Sequence, residues 1–417
     1  MSIADRRWML AVALLGYLVT AWAWALVDPL VPLLRGPLGL SPLQQALVVA
    51  VPVVVGTLGR IPAGALADRF GGRVVFLLVA AATLVALLEL AVFGHRSVPG
   101  LMTGAVLVGV AGSTFAVAVP FVSAWFPGPH RGLALGVLGT GLCGSAIGGL
   151  TAVRLAEAHG MVAPYLVTAV PLVAFLALAG SVVRDAPRPA RPPGQPGQPG
   201  QPPGVRRRLA TALRWGTTWH AAAWYSALVA LFVTFSNALP LYLANAYDLA
   251  AARAGDLMAA FVLLAVFMRP VGGRLADRLS PPRPLAVALG AVTVATAVQA
   301  GTPPVAVVVF GTLPVLAVGL GIASTAVLAQ IGATVPADMV GLVVGVVTAV
   351  AGVAGFVSQL LMAASFDRFA SYGPALCVLA AGAALATASA VLSASRPAVG
   401  GSGSVGGSAA GRRGGAG

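Results

Sequence analysis

The stretch GRIPAGALADR, Gly59 to Arg69, places an arginine, Arg60, inside a long apolar run instead of at its end. Displaced by 209 residues, MRPVGGRLADR, Met268 to Arg278, repeats the arrangement with Arg269. The 417-residue chain around them is 59% hydrophobic and 9% charged, with a mean hydropathy of +0.94. Such a make-up lies outside that of soluble domains and identifies a membrane protein. Runs such as Trp8 to Val27, Leu43 to Ala67, Val74 to Phe93 and Met161 to Val183 reach the roughly 20 helical residues needed to cross about 30 Å of hydrocarbon. About twelve spans are predicted, near 8–34, 43–67, 73–93, 98–126, 131–154, 161–183, 217–245, 254–275, 284–302, 304–330, 340–365 and 373–394. The short alternating segments of a membrane barrel do not occur.

A net charge of +14 raises the question of nucleic acid, but all 25 basic residues are arginines and their positions argue for topology instead. With twelve spans and both termini inside, 17 arginines fall in the terminal segments and even-numbered loops, and only Arg35, Arg96, Arg154, Arg253 and Arg368 fall on the other side. This asymmetry follows the positive-inside rule and predicts cytoplasmic termini in a plasma-membrane protein with no nucleic-acid partner. The remaining three arginines, Arg60, Arg269 and Arg274, lie within or at the ends of spans. Arg6 and Arg7 precede the first span without a small-residue cleavage site, so that span reads as a retained helix and not an export signal. Cys143 and Cys377 both fall in predicted spans, which argues against a disulfide framework. The histidines show no ligand spacing and no nucleophile constellation is visible, so neither an enzyme, a metal site nor a cofactor is expected.

The segment APRPARPPGQPGQPGQPPGVRRR, Ala186 to Arg208, is too rich in proline and glycine to pack a core and reads as an extended or disordered connector. It divides the chain into a six-span bundle over 1–184, a cytoplasmic linker over 185–215, a second six-span bundle over 216–395 and a disordered cytoplasmic tail over 396–417. The two bundles are related residue by residue. Arg60, Gly64, Leu66, Ala67, Asp68 and Arg69 map onto Arg269, Gly273, Leu275, Ala276, Asp277 and Arg278 at the single offset of 209, and Gly132 and Gly136 map onto Gly341 and Gly345. Duplication of a six-helix unit is the simplest account.

On these residues the chain resembles the major facilitator superfamily. GALADRFGGR, Gly64 to Arg73, is similar to the signature between its second and third spans, and PGPHRGLALG and LADRLSPPR fit the same superfamily. The resemblance implies an all-α fold of twelve transmembrane helices in two pseudo-symmetric bundles, working as a monomer. It gives Asp68, Arg69, Arg73, Asp277 and Arg278 a gating role: the basic groups bind the negative ends of neighbouring helices and the carboxylates cap the opposite kind of end.

The intramembrane arginines carry the substrate question. An arginine near a span centre costs about 2.5–3.5 kcal/mol on insertion scales, so something should offset it. Gly56, Arg60, Gly64 and Asp68 recur every four residues on one helical stripe, as do Ala265, Arg269, Gly273 and Asp277. Eight residues separate each arginine from its aspartate, about 12 Å along a helix, which is long for a side chain reaching back to the interface. Two readings stand: pairing with a buried carboxylate, for which Asp28 and Glu89 are available, or a paired clamp for a small planar oxyanion, which forked guanidinium groups suit.

The resemblance narrows here to the nitrate/nitrite porter family, carried by GRIPAGALADRFGGR, GSTFAVAVPFVSAWFPGPHRGLALG and MRPVGGRLADR. It implies that Arg60 and Arg269 hold the anion, that Phe115 is the aromatic beside it, and that the glycine-rich signatures of spans five and eleven, with Gly141, Gly144 and Gly352, line the site. Leu142 stands where the family usually has asparagine, and Thr348 and Ala351 replace small residues. Asp28 is a second departure and admits three roles: proton coupling, a partner for an arginine, or a place near the outer mouth. Ser236, Asn237 and Tyr242 could face the same cavity. The function so implied is secondary transport of nitrate or nitrite, with or without protons, by alternating access in the bilayer. The alternative is a proton-coupled carrier or exporter of an organic acid or drug-like compound.

Overall fold

The computed structural model describes residues 3–186 and 205–395. The proline-rich part of the expected linker and the expected tail after Ser395 lie outside the described residues. Among the described residues there are twelve helices of membrane length: α1 (Ala4–Leu38), α2 (Leu43–Phe70), α3 (Gly72–Gly94), α4 (Val98–Trp125), α5 (Arg131–His159), α6 (Ala163–Val182), α7 (Gly216–Ala238), α8 (Arg253–Leu279), α9 (Pro282–Ala300), α10 (Val305–Thr334), α11 (Val340–Phe369) and α12 (Gly373–Ser395). They form two six-helix bundles, and no strand occurs among the described residues. Within a bilayer this is the expected solution, because a helix satisfies its own backbone donors and acceptors.

Local chemistry sets the helix ends. Ser41 and Gln44 close a reciprocal capping box at the start of α2, with the Ser41 amide donating to Gln44 Oε1 at 2.9 Å and the Gln44 amide to Ser41 Oγ at 3.2 Å. Gly71, at φ 93°, makes the sharp turn into α3, and a side chain there would run into the Asp185 carboxylate, which accepts from the Arg73 amide at 2.9 Å. Several helices outrun their hydropathy. Apolar reading ends the second and eighth spans at 67 and 275, yet α2 and α8 continue to Phe70 and Leu279. Their charged last turns stay helical because Asp68 and Asp277 find partners across the interface. The connector is also more ordered at its end than its composition suggests: Val205–Arg214 forms a helix, the linker helix, packed against α7 and α11.

The bundles meet where α2 packs on α11 and α5 on the second part of α8, with further contact of α4 on α11 and α5 on α10. Glycines allow this closeness, since a side chain at Gly64 would strike the Gly341 backbone and one at Gly273 the Gly132 backbone. Gly132 and Gly341 are themselves 209 residues apart, so the two inter-bundle seams are copies of one another. Away from this end, the segments Val27–Leu38 of α1 and Cys143–His159 of α5 pack chiefly against their own bundle.

Candidate functional site

Arg60 and Arg269 sit at these seams, and their hydrogen bonds obey the repeat. Arg60 Nη1 donates across the interface to the Thr348 carbonyl at 3.0 Å, and Arg269 Nη1 donates across it to the Gly139 carbonyl at 3.1 Å. Gly139 and Thr348 are again related by the offset of 209. Arg60 Nε also donates to the Gly112 carbonyl at 3.2 Å. Helix irregularity borders two of these acceptors. Val110–Ser113 and Thr140–Leu142 are 3-10 turns inside α4 and α5, and tighter i to i+3 bonding changes which carbonyls are consumed within the helix.

Among the described residues neither arginine has a carboxylate partner. Of the two acids that could have neutralised them, Asp28 is exposed and makes no ion pair within the described chain. Glu89 keeps a buried oxygen without a hydrogen-bond partner, against Gly104 in the first bundle. Among the described residues, the hydrogen bonds of these two arginines go to backbone carbonyls, which satisfy donors without cancelling charge.

Around the arginines are residues that no local pattern announces. Tyr17 of α1 lies within electrostatic reach of both guanidinium groups, and Tyr225 of α7 within reach of Arg60 and Tyr17. Phe115 is buried in α4 with its ring centroid 5.3 Å from that of Tyr17, so it backs the tyrosine. Tyr17 could be singled out only after the fold put α1 between α4 and α5.

The glycine-rich signatures serve packing. A side chain at Gly141 would meet Tyr17, one at Gly144 the Leu18 backbone, and one at Gly148 the Trp22 carbonyl, so this face of α5 seats α1. On α11, Gly345 lies against the Arg60 backbone and Gly352 against Thr57. Gly141, Gly144 and Gly352 thus bring helices together at Tyr17, Leu18 and Thr57, and Gly345 does so at Arg60. Of the other cavity candidates, Asn237 at the end of α7 is exposed and shares a 3.4 Å hydrogen bond with Gln359. Tyr242 is buried in a polar cluster with Gln299 and Tyr247 inside the second bundle, not beside the arginines.

At the ends of the two stripes, both aspartates cap helices of the opposite bundle. Asp68 accepts from the Gly341 and Leu342 amides at 2.9 Å each, at the start of α11, and Asp277 from the Gly132 and Leu133 amides at 2.7 and 2.8 Å, at the start of α5. Unpaired amides and the helix dipole both favour a carboxylate there. Arg73 donates to the Gly180 carbonyl at 2.8 Å, at the end of α6 in its own bundle. Arg69 lies over the Phe70 ring at 5.1 Å and, like Arg278, is exposed; neither makes an ion pair among the described residues.

The repeat, the seams and the paired arginines agree with sequence comparison. A family model described as Major Facilitator Superfamily matches residues 13–359. The probable nitrate/nitrite transporter NarK2 of Mycobacterium tuberculosis (strain ATCC 25618 / H37Rv) is 35% identical over 352 residues, covering 84% of this chain and 86% of that protein. The chain belongs to the nitrate/nitrite porter family of the major facilitator superfamily. The porter is also 31% identical to the probable nitrate/nitrite antiporter NarK1 of Thermus thermophilus, over 84% of this chain and 83% of that one. Its fold matches the crystal structure of the human organic anion transporter MFSD10 with a TM-score of 0.76 at 15% identity, over 92% of the porter and 99% of that chain. The porter is thus a multi-pass membrane transporter.

Proposed function

We propose that the porter carries nitrate, nitrite or both through the plasma membrane by alternating access, with Arg60 and Arg269 as the anion clamp. One observation carries the assignment. Two half-buried guanidinium groups, one from each bundle and equivalent in the repeat, have no carboxylate among the described residues and are anchored by equivalent bonds to the opposite bundle. Their uncompensated charge needs a counter-ion, and a planar oxyanion accepts forked donors from two sides. Because each anchor crosses the interface, binding at the clamp and the relative position of the bundles are coupled.

Rocking of the bundles then alternately exposes the clamp. The Asp68 and Asp277 seams hold one end closed, and the asymmetry of arginines assigns that end to the cytoplasm with both termini. The names of the relatives support the choice of anion. Uptake of nitrate and of nitrite into proteoliposomes tests it, comparing the wild type with Arg60→Ala and Arg269→Ala. Loss of saturable flux in both variants is expected. Undiminished transport by either one sinks the clamp, and a wild type moving organic acids but neither anion would favour the organic-substrate alternative.

A further inference from the structure

Because the two seams are copies, each should contain the same parts. Beside Asp277 stands Arg131, the first residue of α5, whose charge acts on that carboxylate and whose Nη1 donates to the Gly332 carbonyl near the end of α10. The residue equivalent to Arg131 at the offset of 209 is Val340, the first residue of α11. It is apolar and buried, so the repeat itself supplies no cation to the Asp68 seam at this position.

A guanidinium is there nonetheless, delivered from the linker helix. Arg208 Nη2 lies 3.5 Å from Asp68 Oδ2 and also donates to the Asp338 carbonyl, while Nε lies 3.4 Å from Met339 Sδ. Arg208 is 8% exposed, whereas its neighbours Arg206 and Arg207 face outward. Asp338 and Met339 immediately precede α11, so one side chain joins the carboxylate of α2 to the approach of α11. The linker helix packs on α7 and α11, both of the second bundle, and Asp68 belongs to the first.

We propose that Arg208 is a gating residue: the linker helix completes the Asp68 seam, and separating α2 from α11 breaks the Arg208–Asp68 contact together with the two amide bonds. The segment joining the bundles is then part of the closure as well as a tether. The two seams differ accordingly, one carrying its cation on a membrane helix and the other borrowing it from the connector. The consequence for transport rests on the alternating-access assignment; the contact itself does not.

Hydrogen exchange on the full chain in lipid nanodiscs tests it, reading the amides of Gly341 and Leu342, with Gly132 and Leu133 as the internal reference. Arg208→Gln should speed exchange at Gly341 and Leu342 roughly tenfold, the scale of one charge-assisted interaction, and leave Gly132 and Leu133 unchanged. Arg208→Lys, which keeps the charge, should recover most of the protection and guards against a folding defect in the glutamine variant. Wild-type exchange in Arg208→Gln, or an equal rise at both seams, overturns the proposal. Nitrate flux measured on the same preparations separates the two claims. A wild type without nitrate or nitrite flux would count against the anion assignment, while the exchange comparison still decides Arg208.

Discussion

Replacing Arg60 with lysine keeps the charge of the proposed clamp and removes its fork. In the porter, Nε and Nη1 are committed to the Gly112 and Thr348 carbonyls at 3.2 and 3.0 Å. A guanidinium has five N–H donors, so about three remain for an anion. Lysine offers about three donors on a single nitrogen, and holding the same two carbonyls leaves about one. Even if water replaces part of what is lost, the absence of a single charge-assisted bond weakens binding by about 1.5–3 kcal/mol. That corresponds to a rise in KM for nitrate of roughly 10- to 150-fold. Arg269 has one anchor, to Gly139 at 3.1 Å, and loses the same number of free donors on conversion to lysine, so Arg269→Lys should behave alike. The assay is initial-rate nitrate uptake into proteoliposomes across a range of concentrations at fixed pH. A KM unchanged in both lysine variants would refute the reasoning, because charge alone would then be sufficient and the planar geometry irrelevant.

Other outcomes follow from the same contacts. Asp68→Asn and Asp277→Asn each leave two helix-terminal amides to share one oxygen, a loss of about 1.5–3 kcal/mol; exchange should accelerate at Gly341 and Leu342 in the first and at Gly132 and Leu133 in the second, and equal rates in mutant and wild type would count against the seams. Gly144→Leu drives a side chain into the Leu18 backbone, an overpacking that costs about 1–3 kcal/mol; a lower Tm and slower nitrate uptake are expected, whereas Gly149→Leu, which meets open space, should alter neither. Asp28→Asn removes an exposed carboxylate without an ion pair among the described residues, so stability should move by less than about 0.5 kcal/mol. If Asp28 couples protons, that variant should lose the response of uptake to an imposed pH gradient, and a retained response excludes the role.

Much of the architecture was legible because a bilayer leaves few options. Twelve apolar runs become twelve helices, and the offset of 209 that aligned Arg60 with Arg269 also aligns their anchors, Thr348 with Gly139, and the two capped helix starts. Hydropathy failed at helix ends such as Asp68 and Asp277, where charge is stabilised by a partner that sequence distance hides. Composition likewise missed the helix over Val205–Arg214, whose buried Arg208 is held by Asp68 and Asp338.

The candidate site divides along the same line. Arg60 and Arg269 stand out by themselves, since a guanidinium within an apolar run demands an explanation and a second one at the repeat distance supplies it. Tyr17 and Tyr225 gave no such sign, because an aromatic residue in a membrane helix is unremarkable until its neighbours are known. The glycines of α5 and α11 were visible as a pattern, but only packing revealed that they press against Tyr17, Leu18 and the Arg60 backbone. Sequence alone therefore determined the membrane class, the duplication and the two charges. Tertiary structure decided what those charges touch, because hydrogen bonds and helix contacts across an interface depend on distances between residues far apart in the chain.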